Sequence, residues 1–107
     1  MVEKEKVRTN EHYRIFYSTE LKQYILGYDT GTVCNEMYFR ISEEEYGFSK
    51  TDIEHLDRIA YACSIFGTAS SRYICSQKKE CNRTDEQQML AEILITEINA
   101  SAEQKYK

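Results

Sequence analysis

Four cysteines and two histidines are the residues in this 107-residue chain best suited to chemistry, and their spacing argues against each reaction they could support. A structural zinc site pairs its cysteines at spacings of roughly two to four residues. Cys75 and Cys81 are set wider than that, and neither Cys34 nor Cys63 has a near partner. No metal or other cofactor is therefore expected. A thiol nucleophile needs a base within hydrogen-bond reach. Cys63 stands eight positions after His55, a little over two helical turns, so on one helix the two lie about 12 Å apart. His12 sits alone in a strand-like segment. The run Glu43, Glu44, Glu45 offers carboxylates without the contrasting surroundings that separate an acid from a base. Four glycines, scattered singly, form no phosphate loop. The expectation is a protein without catalytic residues, and attention moves to surfaces.

Composition narrows the partners. Eighteen acidic against fourteen basic residues leave a net charge of −4, which makes nucleic acid a poor default partner. A hydrophobic content of 41% is enough for one packed domain, with no run of the roughly 20 apolar residues that a membrane span requires. The charged N-terminal stretch is unlike a secretion signal, so a cytoplasmic location with reduced cysteines is expected. Two glycosylation sequons, at Asn82 and Asn99, carry no meaning in that compartment. Proline is absent, so loops must be shaped by Gly, Asn, Asp and Ser.

The elements that would position a surface follow from periodicity. Residues 1–11 alternate Glu and Lys with little apolar content and read as a mobile tail ahead of a single domain spanning 12–107. Tyr13, Ile15 and Tyr17 alternate with Arg14, Phe16 and Ser18, and Gln23 to Tyr28 repeats the alternation, predicting an antiparallel hairpin. A third strand is predicted from about Val33 or Asn35 to Ile41. Ser42 with Glu45 forms a capping box for a single helical turn that Gly47 would break. From Ser49 to Gln77 the residues Ile53, Leu56, Ala60, Cys63, Gly67, Ser70 and Ile74 keep helical spacing, which predicts one long helix or two in phase; Tyr73-Ile74-Cys75 could alternatively be a short strand, and the continuing period favours helix over 68–76. Thr84 with Gln87 starts a last helix whose apolar face is Met89, Leu90, Ile93, Leu94 and Ile98.

The fold class expected is α+β: a three-stranded antiparallel sheet followed by two or three helices packed on one face. The covered face carries Tyr13, Ile15, Tyr24, Leu26, Phe39 and Ile41. Phe16, Ile25 and Tyr38 are then left on an open face.

Charge is distributed unevenly along the chain. Residues 42–58 hold six acidic side chains against Lys50 and Arg58, while residues 70–83 hold Arg72, Lys78, Lys79 and Arg83 against Glu80. An acidic patch beside tyrosines suits a partner with a basic cleft, charge steering the encounter and aromatics holding the complex. The partner-binding residues expected are Tyr38, Glu43, Glu44, Glu45, Tyr46, Asp52 and Asp57. In size, acidity and aromatic-acidic surface the chain resembles bacterial toxin-immunity proteins, a likeness of character over the whole chain with no specific motif. That resemblance implies a non-enzymatic inhibitor of a toxin enzyme, such as a nuclease, with the cognate toxin as its protein partner. Two other functions fit the same sequence: a single-strand nucleic-acid module stacking bases on exposed sheet aromatics, and an oligomerisation domain.

Overall fold

The alternation over Tyr13–Ser18 and Gln23–Asp29 does form a hairpin, the centre of an antiparallel sheet in a computed structural model that describes residues 1–31 and 36–105. In chain order the strands are β1 (Val2–Arg8), β2 (Tyr13–Ser18), β3 (Gln23–Asp29), β4 (Glu36–Ile41) and β5 (Tyr73–Ser76), and their order across the sheet is the same. The helices are α1 (Glu43–Thr51) and α2 (Ile53–Phe66), between β4 and β5, and α3 (Asp85–Lys105) at the end. The class is α+β, with five strands rather than three. Cys34, and the start expected for the third strand at Val33 to Asn35, lie outside the described residues.

Both added strands have a physical reason for being hard to see. Residues 2–8, expected as a tail, pair with β2 as an edge strand interrupted by an irregularity between Glu3 and Lys6, where Lys4 takes a positive φ of 56°. Its half-buried positions include Lys6 and Arg8, whose aliphatic stems cover the sheet while their heads reach polar partners. A charged, bulged edge also resists pairing with other chains. At the opposite edge β5 replaces the helix expected over 68–76. Gly67 ends α2 with φ 50° and ψ −126°, a conformation that suits glycine, and its N–H closes on the Cys63 carbonyl. In β5, Tyr73 and Cys75 pair with Phe39 and Tyr38, with Ile74 as the extra residue of a bulge. The Asn82 side chain then acts as a short substitute for a further strand, accepting from Ser76 N at 2.8 Å and donating to Ser76 O at 2.9 Å. A glycan on this amide would break that pairing.

Ser42 caps α1 as expected: its hydroxyl accepts from Glu45 N at 3.0 Å and its N–H donates to Glu45 Oε1 at 2.8 Å. The helix does not stop at Gly47, because one glycine costs a helix only about 1 kcal/mol. It stops at Asp52, whose extended backbone (φ −157°) separates α1 from α2 and whose carboxylate accepts from His55 N at 3.2 Å. At α3, Thr84 and Gln87 make the expected reciprocal cap.

Helices cover both sheet faces, not one. Tyr13, Ile15, Leu26, Phe39 and Ile41 pack under Leu56, Ala60 and Cys63 of α2, with Tyr46 and Phe48 of α1 at the margin. On the other face Phe16, Ile25 and Tyr38, expected to be open, are sealed by Ala91 and Leu94 of α3. That helix uses Ala91 where Met89 and Ile93 were expected inward, and leaves those two exposed. Between β2 and β4, Gly27 makes room for the Glu36 side chain, which Arg14 holds by a two-pronged ion pair at 2.6 and 2.9 Å.

Candidate functional site

The reactive side chains are dispersed by the fold. Cys63 lies on the inner face of α2 and Cys75 in the sheet, both fully buried, and burial pushes their thiols up to about 11 and about 12. His55 is exposed, its ring stacked on Phe48 at 4.5 Å. Among the described residues no three His, Cys, Asp or Glu side chains gather as metal ligands, and none of the helices among them is long and apolar enough to cross a membrane.

The seven residues expected to bind a partner divide into three kinds. Tyr38 is core, 1% exposed, because α3 covers the face on which it stands. Its phenol is pushed far up by burial and then by the Glu36 carboxylate. Glu45, Asp57 and Tyr46 hold the fold together. Glu45 receives both prongs of Arg72 at 2.8 and 2.7 Å, which joins the start of α1 to the approach to β5 and lowers its pKa. Asp57 takes Arg8 at 2.6 and 3.2 Å and the Tyr13 hydroxyl at 2.5 Å. Burial is the largest influence on that carboxyl and acts upward, yet Arg8 and Tyr13 together outweigh it and leave the pKa lowered. Tyr46 donates to Lys4 O at 2.6 Å and packs on Tyr24 at 4.7 Å, fixing β1. Glu43, Glu44 and Asp52 remain on the surface. Glu43 and Glu44 have no ion-pair partner among the described residues, and Asp52 has only His55 Nδ1 at 3.8 Å.

A further set of surface residues belongs with these three. Successive residues of a helix advance by about 100°, so Glu54, Arg58, Tyr61 and Ile65 form one stripe. It points away from Leu56, Ala60 and Cys63, the buried residues of α2. Tyr61 is 68% exposed and Ile65 60%, whereas Phe66, 62% exposed, stands about 100° round the helix from Ile65, on the flank of His55 and Ile59. The Glu54–Arg58 pair on this stripe is loose, 3.9 Å, with both side chains in solvent. The signal was present in the i, i+3, i+4 spacing, but an apolar residue opposite a helix's core stripe is easily counted as core.

Among the described residues, grooves run beside α2 and α3. One, of about 310 Å³, lies beside α2 and includes His55, Arg58, Ile59, Phe66 and Arg72 in its lining. Each of its cations already faces a carboxylate, so it offers an anion little net attraction. The other, of about 490 Å³, runs along α3 beside Glu97, Ile93 and Thr96. Glu97 is buried, yet its oxygens are occupied: Oε1 accepts from Ser18 Oγ at 2.6 Å and Oε2 from Thr19 N at 2.9 Å. That carboxylate ties a hairpin to α3 and is not poised for chemistry.

The surface that these positions leave open is an apolar-aromatic stripe on α2 with exposed carboxylates along α1 and the start of α2. No family model matches the chain, and no curated protein or solved structure matches it either.

Proposed function

We propose that this chain is a small, non-enzymatic binding protein of the inhibitor or immunity type, which neutralises a toxin enzyme by covering a basic cleft. A nuclease, whose cleft must attract phosphate, is the class of toxin best suited to that charge. The observation that carries the reading is the state of the acidic residues of α1 and α2. Glu45 and Asp57 are used up in tight ion pairs, whereas Glu43, Glu44, Asp52 and Glu54 stay exposed and at most loosely paired. Exposed charge of one sign steers an oppositely charged partner and raises the rate of encounter.

The single-strand nucleic-acid reading has less support, because it needs sheet aromatics open to bases, and Phe16 and Tyr38 lie beneath α3. The same cover removes the sheet face through which two copies could have met.

Co-expression with the product of the neighbouring gene tests the proposal. A stable complex, and survival of cells that otherwise succumb to that product, are the expected results. Failure of both would end the inhibitor reading.

A further inference from the structure

We propose that the groove along the outer face of α3 is a docking site for a basic amphipathic helix of a partner protein. Met89, Ile93, Thr96 and Ala100 stand at i, i+4, i+7 and i+11, which places them on one line of the helix. That line points away from Ala91 and Leu94, the residues of α3 that seal the sheet. All four are exposed, Met89 by 55% and Ile93 by 37%. Exposed apolar residues one at a time are ordinary on a protein surface. Here Ile93, Thr96 and Ala100 form one wall of a groove of about 490 Å³, with Glu20 of the β2–β3 turn across it. A concave, mostly apolar seat beside a straight helix suits the apolar face of a second helix. Because α3 covers the sheet face opposite α1 and α2, a helix held here is separate from a toxin held by the acidic residues on the other side.

Charge selects the occupant. From Asp85 to Gln104 the helix carries five acidic residues and no basic one. Glu97 is occupied by the hairpin. Asp85, Glu92 and Glu103, at i, i+7 and i+18, run along one flank of the apolar line, and Glu20 faces it from across the groove. All four are exposed, and none has an ion-pair partner among the described residues; Glu92 accepts only from the Gln88 amide, at 3.4 Å. On α2, by contrast, Glu54 has Arg58 beside it. Carboxylates of one sign on both rims of an apolar groove match a helix whose apolar seam is flanked by Lys and Arg. The acids extend over 18 residues, about 27 Å, and a helix lying alongside repeats its side chains at the same pitch. An extended segment would instead need a free sheet edge. Nucleic acid and anionic lipid are repelled by these carboxylates, and a second copy laid α3 against α3 brings the same charge.

The test uses the full chain and a synthetic amphipathic peptide of leucine and lysine with its leucines on one helical face, with affinity measured by calorimetry. One peptide should bind per chain, and a peptide of the same composition with its leucines scrambled should bind about ten-fold more weakly or worse. Glu20→Gln with Glu92→Gln should weaken binding by about ten-fold, and Met89→Ser with Ile93→Ser should do the same independently. Glu43→Gln with Glu44→Gln, on α1, should alter it by less than about two-fold and controls for general attraction to an acidic protein. Every substituted residue is exposed, so the thermal midpoints should stay near that of the unsubstituted chain. No binding at millimolar peptide, equal affinity for the scrambled peptide, or an equal loss from the α1 pair would each overturn the docking site. Self-association abolished by Met89→Ser with Ile93→Ser would overturn it too, by assigning the groove to a second copy. None of these outcomes bears on whether a toxin is neutralised, so the two readings fail separately.

Discussion

Ser18 and Glu97 lie 79 positions apart in the chain, and the serine hydroxyl donates to the glutamate carboxylate at 2.6 Å inside the structure. The second carboxylate oxygen accepts from Thr19 N, so a single side chain of α3 satisfies two donors at the β2–β3 turn. Removing it would leave the buried Ser18 hydroxyl without this acceptor and Thr19 N with only its 3.2 Å bond to Met1 O, and would take away the ion-pair partner of the Met1 ammonium. Glu97→Ala should destabilise the chain by about 3 kcal/mol, read from urea unfolding. Glu97→Gln, which keeps an acceptor at one position, should cost less. A loss below about 0.5 kcal/mol in the alanine variant would show that water replaces the carboxylate and that the contact is dispensable.

Acid should act through Glu45 and Asp57. Both carboxyls have pKa values lowered in the folded chain, Glu45 chiefly by Arg72 and Asp57 by Arg8 and Tyr13 against the opposing effect of burial. A lowered folded pKa gives stability that is fully present above the unfolded pKa, about 4, and is lost as the pH falls through the folded value. Stability contributed by these pairs should be flat from pH 7 to about pH 5 and decline below about pH 4. Glu45→Gln should cost about 1 kcal/mol at pH 7, since the pair is partly exposed, and should flatten the decline. Urea midpoints at pH 6 and pH 3 decide the matter: an equal decline in both chains would exclude Glu45 as a source.

The sequence made β2, β3, β4 and the starts of α1 and α3 legible because each depends on neighbours in the chain: period-two alternation for the strands, Ser42 with Glu45 and Thr84 with Gln87 for the two caps. The start of α2, expected at Ser49, falls instead at Ile53, because residues 49–51 continue α1 and Asp52 caps the next helix. β1 was hidden because Lys6 and Arg8 fill half-buried positions that apolar residues usually occupy. β5 was hidden because four residues that continue a helical period cannot by themselves announce a strand. Tyr38 falls on a face that the sequence leaves open, and only the packing of α3 shows that this face is covered. Glu45 and Asp57 look like free charges in the sequence because their partners, Arg72 and Arg8, are 27 and 49 positions away. An acidic cluster in a sequence is thus a list of candidates, and the fold selects which of them remain available.

Asn82 provides a separable test of the β5 edge. Its amide pairs with both backbone groups of Ser76, and its oxygen lies 3.3 Å from the Tyr73 hydroxyl. Asn82→Ala should cost about 1 to 2 kcal/mol and make the Ser76 amide exchange faster with solvent. Asn82→Asp keeps the acceptor for Ser76 N and loses the donor to Ser76 O, so that amide should remain protected while stability still falls. Unchanged exchange at Ser76 in the alanine variant would mean that its N–H is held by some other group.

Gly27 tests whether the Arg14–Glu36 pair constrains the sheet. A Cβ built at Gly27 would stand 2.7 Å from Glu36 Oε2 and 2.9 Å from its Cδ, closer than real side chains approach. A free glutamate could swing aside, but this one is gripped by Arg14 at 2.6 and 2.9 Å, so relieving the clash means loosening an ion pair across β2, β3 and β4. Alanine is otherwise favoured over glycine in a strand, through the smaller entropy of the unfolded chain. Gly27→Ala should therefore destabilise the unsubstituted chain by about 1 to 2 kcal/mol. With Glu36→Ala already in place the same change should be neutral or stabilising, a coupling that a double-mutant cycle reads directly. Equal costs in the two backgrounds would show that the glutamate yields freely, and that the close approach of Gly27 is not what fixes this corner of the sheet.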